Sequence, residues 1–350
     1  MFFHAILQLA GLQRALWRFA YQVALQVLAF GAGASLQAEA VAQDATFEEA
    51  SAAAVPAPVY RYEPGADVPA LLIPRSERLV YRAYLDAGIV MAHVGSVEQT
   101  CTVATQEPSV LAAEPVEAGG ETAAIKLFAS GKYLWYELES TLETRILPQE
   151  WPRVSYQSVS KSSQTRRREV LLGKKEGASI SSYRGDTKKG APAGTRIWRP
   201  AKERSVPEGT IDMLTAVFQA RTLIREKRET LSFPLIDKDR VWNLRLRRGG
   251  ERRMETTAGT FFDVVEVVLE PEPNAGEAVG EKAERFEGVF GINGTIHLWV
   301  EKKTGVAVRI QGDLPIGDVI TLGIDVVLDS YSDTPEGFAP VIAPSADQQK

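Results

Sequence analysis

The chain has 350 residues, 45% of them hydrophobic and 24% charged, with a formal net charge of −5. That is ordinary globular composition, with material for one large core or two modest ones, and its mild acidity excludes a global attraction to nucleic acid. One cysteine, Cys101, rules out an intrachain disulfide and a cysteine-based cluster, and three histidines, His4, His93 and His297, argue against a multi-histidine metal site. No metal and no cofactor is expected.

At the N-terminus, Arg14 and Arg18 precede a mostly apolar run from Phe19 to Leu36, followed by "QAEAVAQDA". A basic region, an apolar region and small residues in that order describe a secretory signal peptide over residues 1–42, with Ala40 and Ala42 forming an A-x-A site before Gln43. The competing reading is a retained membrane anchor, but Gln22 and Gln26 interrupt the run and Gly31 and Gly33 loosen its end. The predicted location is therefore the periplasm or cell envelope, peripheral to a membrane at most. Residues 43–75 are rich in Ala, Pro and Glu and read as a flexible linker.

Residues 76–332 are dominated by strand signals and read as a single β-rich domain. In "RLVYRAYLDAG", Leu79, Tyr81, Ala83 and Leu85 share one face. "AAIKLFASGKYLWYELESTLETRIL" reads as two or three strands, with Ser130-Gly131 as a turn. In "VWNLRLRRGGERRM", Trp242, Leu244 and Leu246 alternate with Asn243, Arg245 and Arg247, and Gly249-Gly250 carries a hairpin-turn signal. "IHLWVEKKTGVAVRI" is a further hairpin, in which Ile296, Leu298 and Val300 alternate with His297, Trp299 and Glu301. One segment breaks the pattern. In "VPEGTIDMLTAVFQARTLIRE", Ile211, Leu214, Val217 and Phe218 follow helical spacing, which predicts a helix from Ile211 to Ile224 with Thr210 as N-cap and Asp212 in the first turn. Many short period-two strands with Gly-rich turns and one apolar helix predict a mainly β fold: a curved antiparallel sheet, open or partly closed as a barrel, packed around the helix. Residues 333–350 read as a disordered tail.

This order of features resembles the bacterial envelope family known as domain of unknown function 3108, over roughly Glu77 to Tyr331. The matching stretches are "LVYRAYLDAGIVMAHVGSV", "VPEGTIDMLTAVFQART", "TTAGTFFDVVEVVLE" and the closing "IHLWVEKKTGVAVRIQGDLPIGDVITLGIDVVLDSY". The resemblance aligns Asp212 and Arg221 with the family's helix Asp and Arg, and Trp299 with its strand Trp. The closing hairpin departs from the family pattern, with Lys303-Thr304-Gly305 and Ala307 where an acidic turn and a Pro are usual. The resemblance implies an exported protein with a curved sheet around a helix, similar to the half-barrels of periplasmic lipoprotein carriers. It implies no reaction.

Residues with chemical potential are few. His297 could act as acid, base or ligand, yet no GxSxG elbow or nucleophile pattern accompanies it. Asp212 and Arg221 stand nine positions apart, on opposite sides of a helix, so they are not expected to pair with each other. The clusters Arg166-Arg167-Arg168 and Arg245, Arg247, Arg248, Arg252, Arg253 read first as solvated faces and second as contacts to lipid or lipopolysaccharide phosphates. The carboxylate pairs Glu137 with Glu139 and Asp263 with Glu266 fit normal strand amphipathicity. Trp299, Phe218, Leu214 and Arg221 are singled out for ligand contact, Arg245 and Arg247 for anion contact, and no catalytic residue is assigned. The expectation is a non-enzymatic envelope protein that binds a lipid, an acyl chain or a lipoprotein segment in an apolar groove. Two alternatives stand beside it: an interaction module docking to an envelope protein, and third an envelope hydrolase.

Overall fold

The structure is a computed structural model describing residues 59–62, 71–86, 91–105, 121–133, 136–147, 154–161, 166–186, 198–274, 286, 288–316 and 320–341. Residues 54–350 form one compact unit. The signal-peptide reading of residues 1–42 lies outside the described residues, as does most of the proposed linker.

Period-two alternation is realised as sixteen strands. A small hairpin, β1 (Val59–Tyr62) with β2 (Leu71–Pro74), comes first. A first meander follows: β3 (Ser76–Asp86), β4 (Met91–Thr105), β5 (Glu121–Tyr133), β6 (Tyr136–Ile146), β7 (Val154–Lys161), β8 (Arg166–Lys175), β9 (Ala178–Gly185) and β10 (Lys202–Ser205). Helix α1 (Met213–Arg225) then leads into a second meander, comprising β11 (Thr230–Asp237), β12 (Arg240–Glu255), β13 (Phe261–Pro273), β14 (Asn293–Glu301), β15 (Ala307–Ile316) and β16 (Ile320–Ser332). Apart from β1 and β2, the strands of the described residues join one 14-stranded sheet in which consecutive strands pair within each meander, and the two meanders meet where β3 pairs with β16. Every ladder is antiparallel, with Tyr81 opposite Leu328 and Ala83 opposite Val326 at the join.

The sheet stays open, but its end strands come near each other. Lys202 of β10 reaches Asp239 in the β11–β12 turn at 3.3 Å, and Arg204 donates to the Asp239 carbonyl at 2.6 Å. Between the ends runs the segment that leads to the helix. Val206 N donates to Ser179 O at 3.0 Å, and Ile211 exchanges backbone bonds with Pro234 O and Ile236 N at 3.0 and 2.8 Å.

Helix α1 fills the concave side. All residues from Met213 to Ile224 are buried. The helix packs against β2, β6, β11 and β12, in an interior where Leu244, Leu246, Val265, Val267, Leu298 and Val300 of the second meander are each essentially unexposed. Side chains such as Leu214 and Phe218, buried to this degree, contribute about 1.5–3 kcal/mol apiece.

Several sequence expectations are corrected. The helix starts two residues later than predicted, and its N-cap is Asp212 rather than Thr210. Asp212 Oδ1 accepts from Leu214 N at 2.8 Å and Thr215 N at 3.2 Å, while Ile211 is drawn into its bridge with β11. Gly249-Gly250 is no hairpin turn but a bulge inside β12, where the register shifts between Arg248 and Glu251. A Cβ on Gly249 would lie 2.4 Å from Glu266 Oε2. Ser130-Gly131 is likewise strand interior: a Cβ on Gly131 would lie 2.6 Å from the Val94 carbonyl oxygen, and Gly131 pairs directly with Gly95. The domain also begins before residue 76, because Leu71 and Ile73 of β2 are buried in the core. It extends past residue 332 as well, where Phe338 stacks on Phe262 with centroids 4.9 Å apart and Val341 N donates to Phe261 O at 2.6 Å.

Candidate functional site

Two polar clusters have the density that chemistry requires, one inside the sheet and one on its convex face. The inner cluster anchors the helix. Arg221 Nη2 donates to Glu77 Oε1 at 2.6 Å, with side chains 6% and 0% exposed. Gln99 Nε2 donates to the same oxygen at 3.0 Å. The Arg221 guanidinium lies 4.5 Å from the Phe218 ring centroid. The β14–β15 turn closes on the same spot: Gly305, at φ +74°, comes so near that a Cβ there would lie 2.6 Å from Arg221 Cα. Buried Glu301 holds that turn, accepting from Lys303 N at 3.0 Å and from Thr304 N and Oγ1 at 2.7 Å each. At the other end of the helix, Asp212 accepts from Thr144 Oγ1 of β6 at 2.8 Å and from Thr215 Oγ1 at 2.6 Å.

Electrostatics in this interior suppress reactivity. Burial pushes the Cys101 thiol up to about 12, assisted by the Glu77 carboxylate and partly offset by Arg221, so it is no nucleophile at neutral pH. Burial, with the same carboxylate, also drives the Tyr81 phenol well above its ordinary value, and its hydroxyl donates to Ala307 O at 3.1 Å. For Arg221, burial works against the charge, but the adjacent Glu77 carboxylate outweighs it and holds the guanidinium above its usual range. Burial raises Asp212, against the lowering effect of hydrogen bonds from Thr215, Thr144 and the helix backbone.

The outer cluster is a face of matched charges. Arg245 bonds Glu270 at 2.9 Å and Glu272 at 3.4 Å, and Arg247 reaches Glu270 at 3.4 Å. The two residues expected to contact an external anion thus already hold protein carboxylates. His297 Nδ1 lies 2.7 Å from Glu266 Oε1, and Asp263 pairs with Arg253 at 3.3 Å, so the suspected Asp263–Glu266 pair is split between two different partners. Glu137 lies outside the residues whose side chains are described. Trp299 belongs to this outer face: Arg252 covers its ring at 3.5 Å, and its Nε1 donates to Gln311 Oε1 at 2.9 Å. Leu298 and Val300, its neighbours in the alternation, take the inward places.

Of the four residues singled out for ligand contact, Leu214, Phe218 and Arg221 share the interior and Trp299 does not. All three inner residues are buried against the chain's own side chains. Among the described residues, no group of three or more His, Cys, Asp or Glu side chains could hold a metal ion, and no helix is long and apolar enough to cross a membrane. Sequence reasoning missed Glu77, Gln99 and Thr144. A signal for the first two was present: Glu77 stands two positions before Leu79 and Gln99 two after Val97, placing a polar side chain on an inward face.

A family model described as "Protein of unknown function (DUF3108)" matches residues 116–324, from just ahead of β5 into β16. No curated protein matches the chain. Among solved structures, the crystal structure of a beta-barrel-like protein of domain of unknown function DUF1849 from Brucella abortus is similar, at 12% identity and a TM-score of 0.41, covering 73% of this chain and 96% of that one.

Proposed function

Since the chain belongs to the family described as protein of unknown function DUF3108, we propose that it is a non-enzymatic protein of the cell envelope that docks to another envelope component through its outer surface. One observation carries this reading: α1 is buried along its length on the concave side, so the place where a carrier would hold its cargo is taken by the chain itself. Export rests on the basic, apolar and small-residue order of the N-terminus. The non-enzymatic part of this reading is supported by the burial and high pKa of the Cys101 thiol.

A second reading, binding of an acyl chain or lipoprotein segment, is favoured by the continuous aliphatic wall of β12 to β14, which an apolar ligand could cover if the helix withdrew. One pair of measurements separates the two. A photo-crosslinker at exposed Met91 should trap the same envelope protein reproducibly in cells, and organic extracts of the purified protein should contain no stoichiometric lipid. Stoichiometric lipid without a reproducible protein adduct would replace the docking reading with the carrier reading.

A further inference from the structure

The Glu77–Arg221 pair is lopsided. Two donors, Arg221 Nη2 and Gln99 Nε2, converge on Glu77 Oε1. Glu77 Oε2 and Arg221 Nη1 are both buried and have no hydrogen-bond partner within the protein. A dry Arg–carboxylate pair gains most from the two-pronged fork, in which each oxygen takes one nitrogen. Here one prong is made and the other is open, inside an interior where an unmade charged hydrogen bond is among the most expensive defects.

From this asymmetry we infer an internal hydration site: a single water molecule that accepts from Arg221 Nη1 and donates to Glu77 Oε2. The chemistry selects the occupant. Guanidinium only donates and carboxylate only accepts, so the bridging molecule must do both. An anion would meet the Glu77 charge and a cation the Arg221 charge, whereas a neutral donor–acceptor suits both. The surroundings supply further polar capacity. Tyr81 and Cys101 are close enough for both charges to act on their acidities, and the Tyr81 hydroxyl oxygen keeps a lone pair after donating to Ala307 O. A buried water typically makes about three such bonds, in a range of roughly 2–4. The Phe218 ring centroid lies 4.5 Å from the guanidinium carbon. The anchor of the helix is thus a three-body unit of base, acid and water, and this holds whichever reading of the protein's function is right.

A crystal structure of the wild-type chain, at a resolution that orders solvent, tests this directly. Density for a water at about 2.6–3.2 Å from both Glu77 Oε2 and Arg221 Nη1 is expected. A direct Nη1–Oε2 contact with no density between would overturn the proposal. Oxygen-17 relaxation dispersion in solution gives an independent readout. The Glu77→Gln protein, which keeps a polar atom at the same position, should retain the wild-type number of long-lived waters. The double variant Glu77→Leu with Arg221→Met should have one fewer, and an unchanged number in the double variant would also overturn it.

Discussion

The two meanders hold the same helix by different means. The second meander, β11 to β16, offers α1 buried apolar side chains such as Leu235, Leu244 and Leu246. The first meander, β3 to β10, supplies two buried polar ties: Glu77 of β3 receives Arg221, and Thr144 of β6 donates to Asp212. Its inward-facing set includes Gln99, Ser140, Thr144 and Ser181 among the aliphatic residues. Apolar burial is strong and non-directional, whereas buried polar pairs contribute little net stability and fix geometry. The helix packs against β2 and β6 as well as β11 and β12, so apolar burial on all of these holds it in place, while the ties to Glu77 and Thr144 set its depth and rotation.

This division can be broken at its strong side first. Phe218→Ala, which empties a fully buried ring site, should cost about 3–5 kcal/mol in chemical denaturation. A loss of much less would mean the helix is not the core element described. Next comes the ion pair. Arg221→Met alone strands Glu77 and should cost about 3–5 kcal/mol, while Glu77→Leu with Arg221→Met should recover most of that loss. If the double variant is as unstable as the single one, the pair contributes stability and not only orientation.

Asp212 offers a pH test of the other tie. Its folded pKa is raised by burial, so the folded chain holds this proton more tightly than the unfolded chain, whose carboxyl titrates at about 3.9. The stability it contributes is present in full below that value and is lost as pH rises through the higher folded value. Asp212→Asn keeps a cap acceptor and removes the titration. Urea midpoints followed upward from about pH 3.5 should fall in the wild type relative to this variant, and parallel curves would contradict the assignment. The smallest effect belongs to the outer face: Arg245→Ala should change stability by no more than about 1 kcal/mol, since its ion pairs are solvent-exposed.

The sequence made the helix legible because Ile211, Leu214, Val217 and Phe218 repeat at 3.6-residue spacing that no strand can satisfy. It also showed a curved antiparallel sheet, open or partly closed as a barrel, because hairpins are local. What misled were glycines. Gly249-Gly250 and Gly131 have the chemistry of a turn, yet they serve close approach, to the Glu266 side chain in one case and the Val94 backbone in the other. Only the partner strand distinguishes these uses. Thr210 and Asp212 are equally good caps by residue type, and the choice falls to Asp212 because β11 captures Ile211. The site was less legible than the fold. Arg221 was singled out for ligand contact, whereas its partner is a carboxylate 144 residues away, a separation across which residue patterns carry no pairing information. Trp299 was grouped with Leu214 and Phe218 for ligand contact, although its alternation with Leu298 and Val300 assigns it to the opposite face.

The β3–β16 ladder has a kinetic meaning. Every other ladder of the large sheet joins strands that follow one another in the chain, but this one requires the sheet's first and last strands in chain order to find each other. Loop closure over such a length adds only logarithmically to the entropic cost, while non-local pairing of this kind is what slows folding. Each meander can assemble early and alone. Their join is the late, cooperative event that turns two local ribbons into one wall.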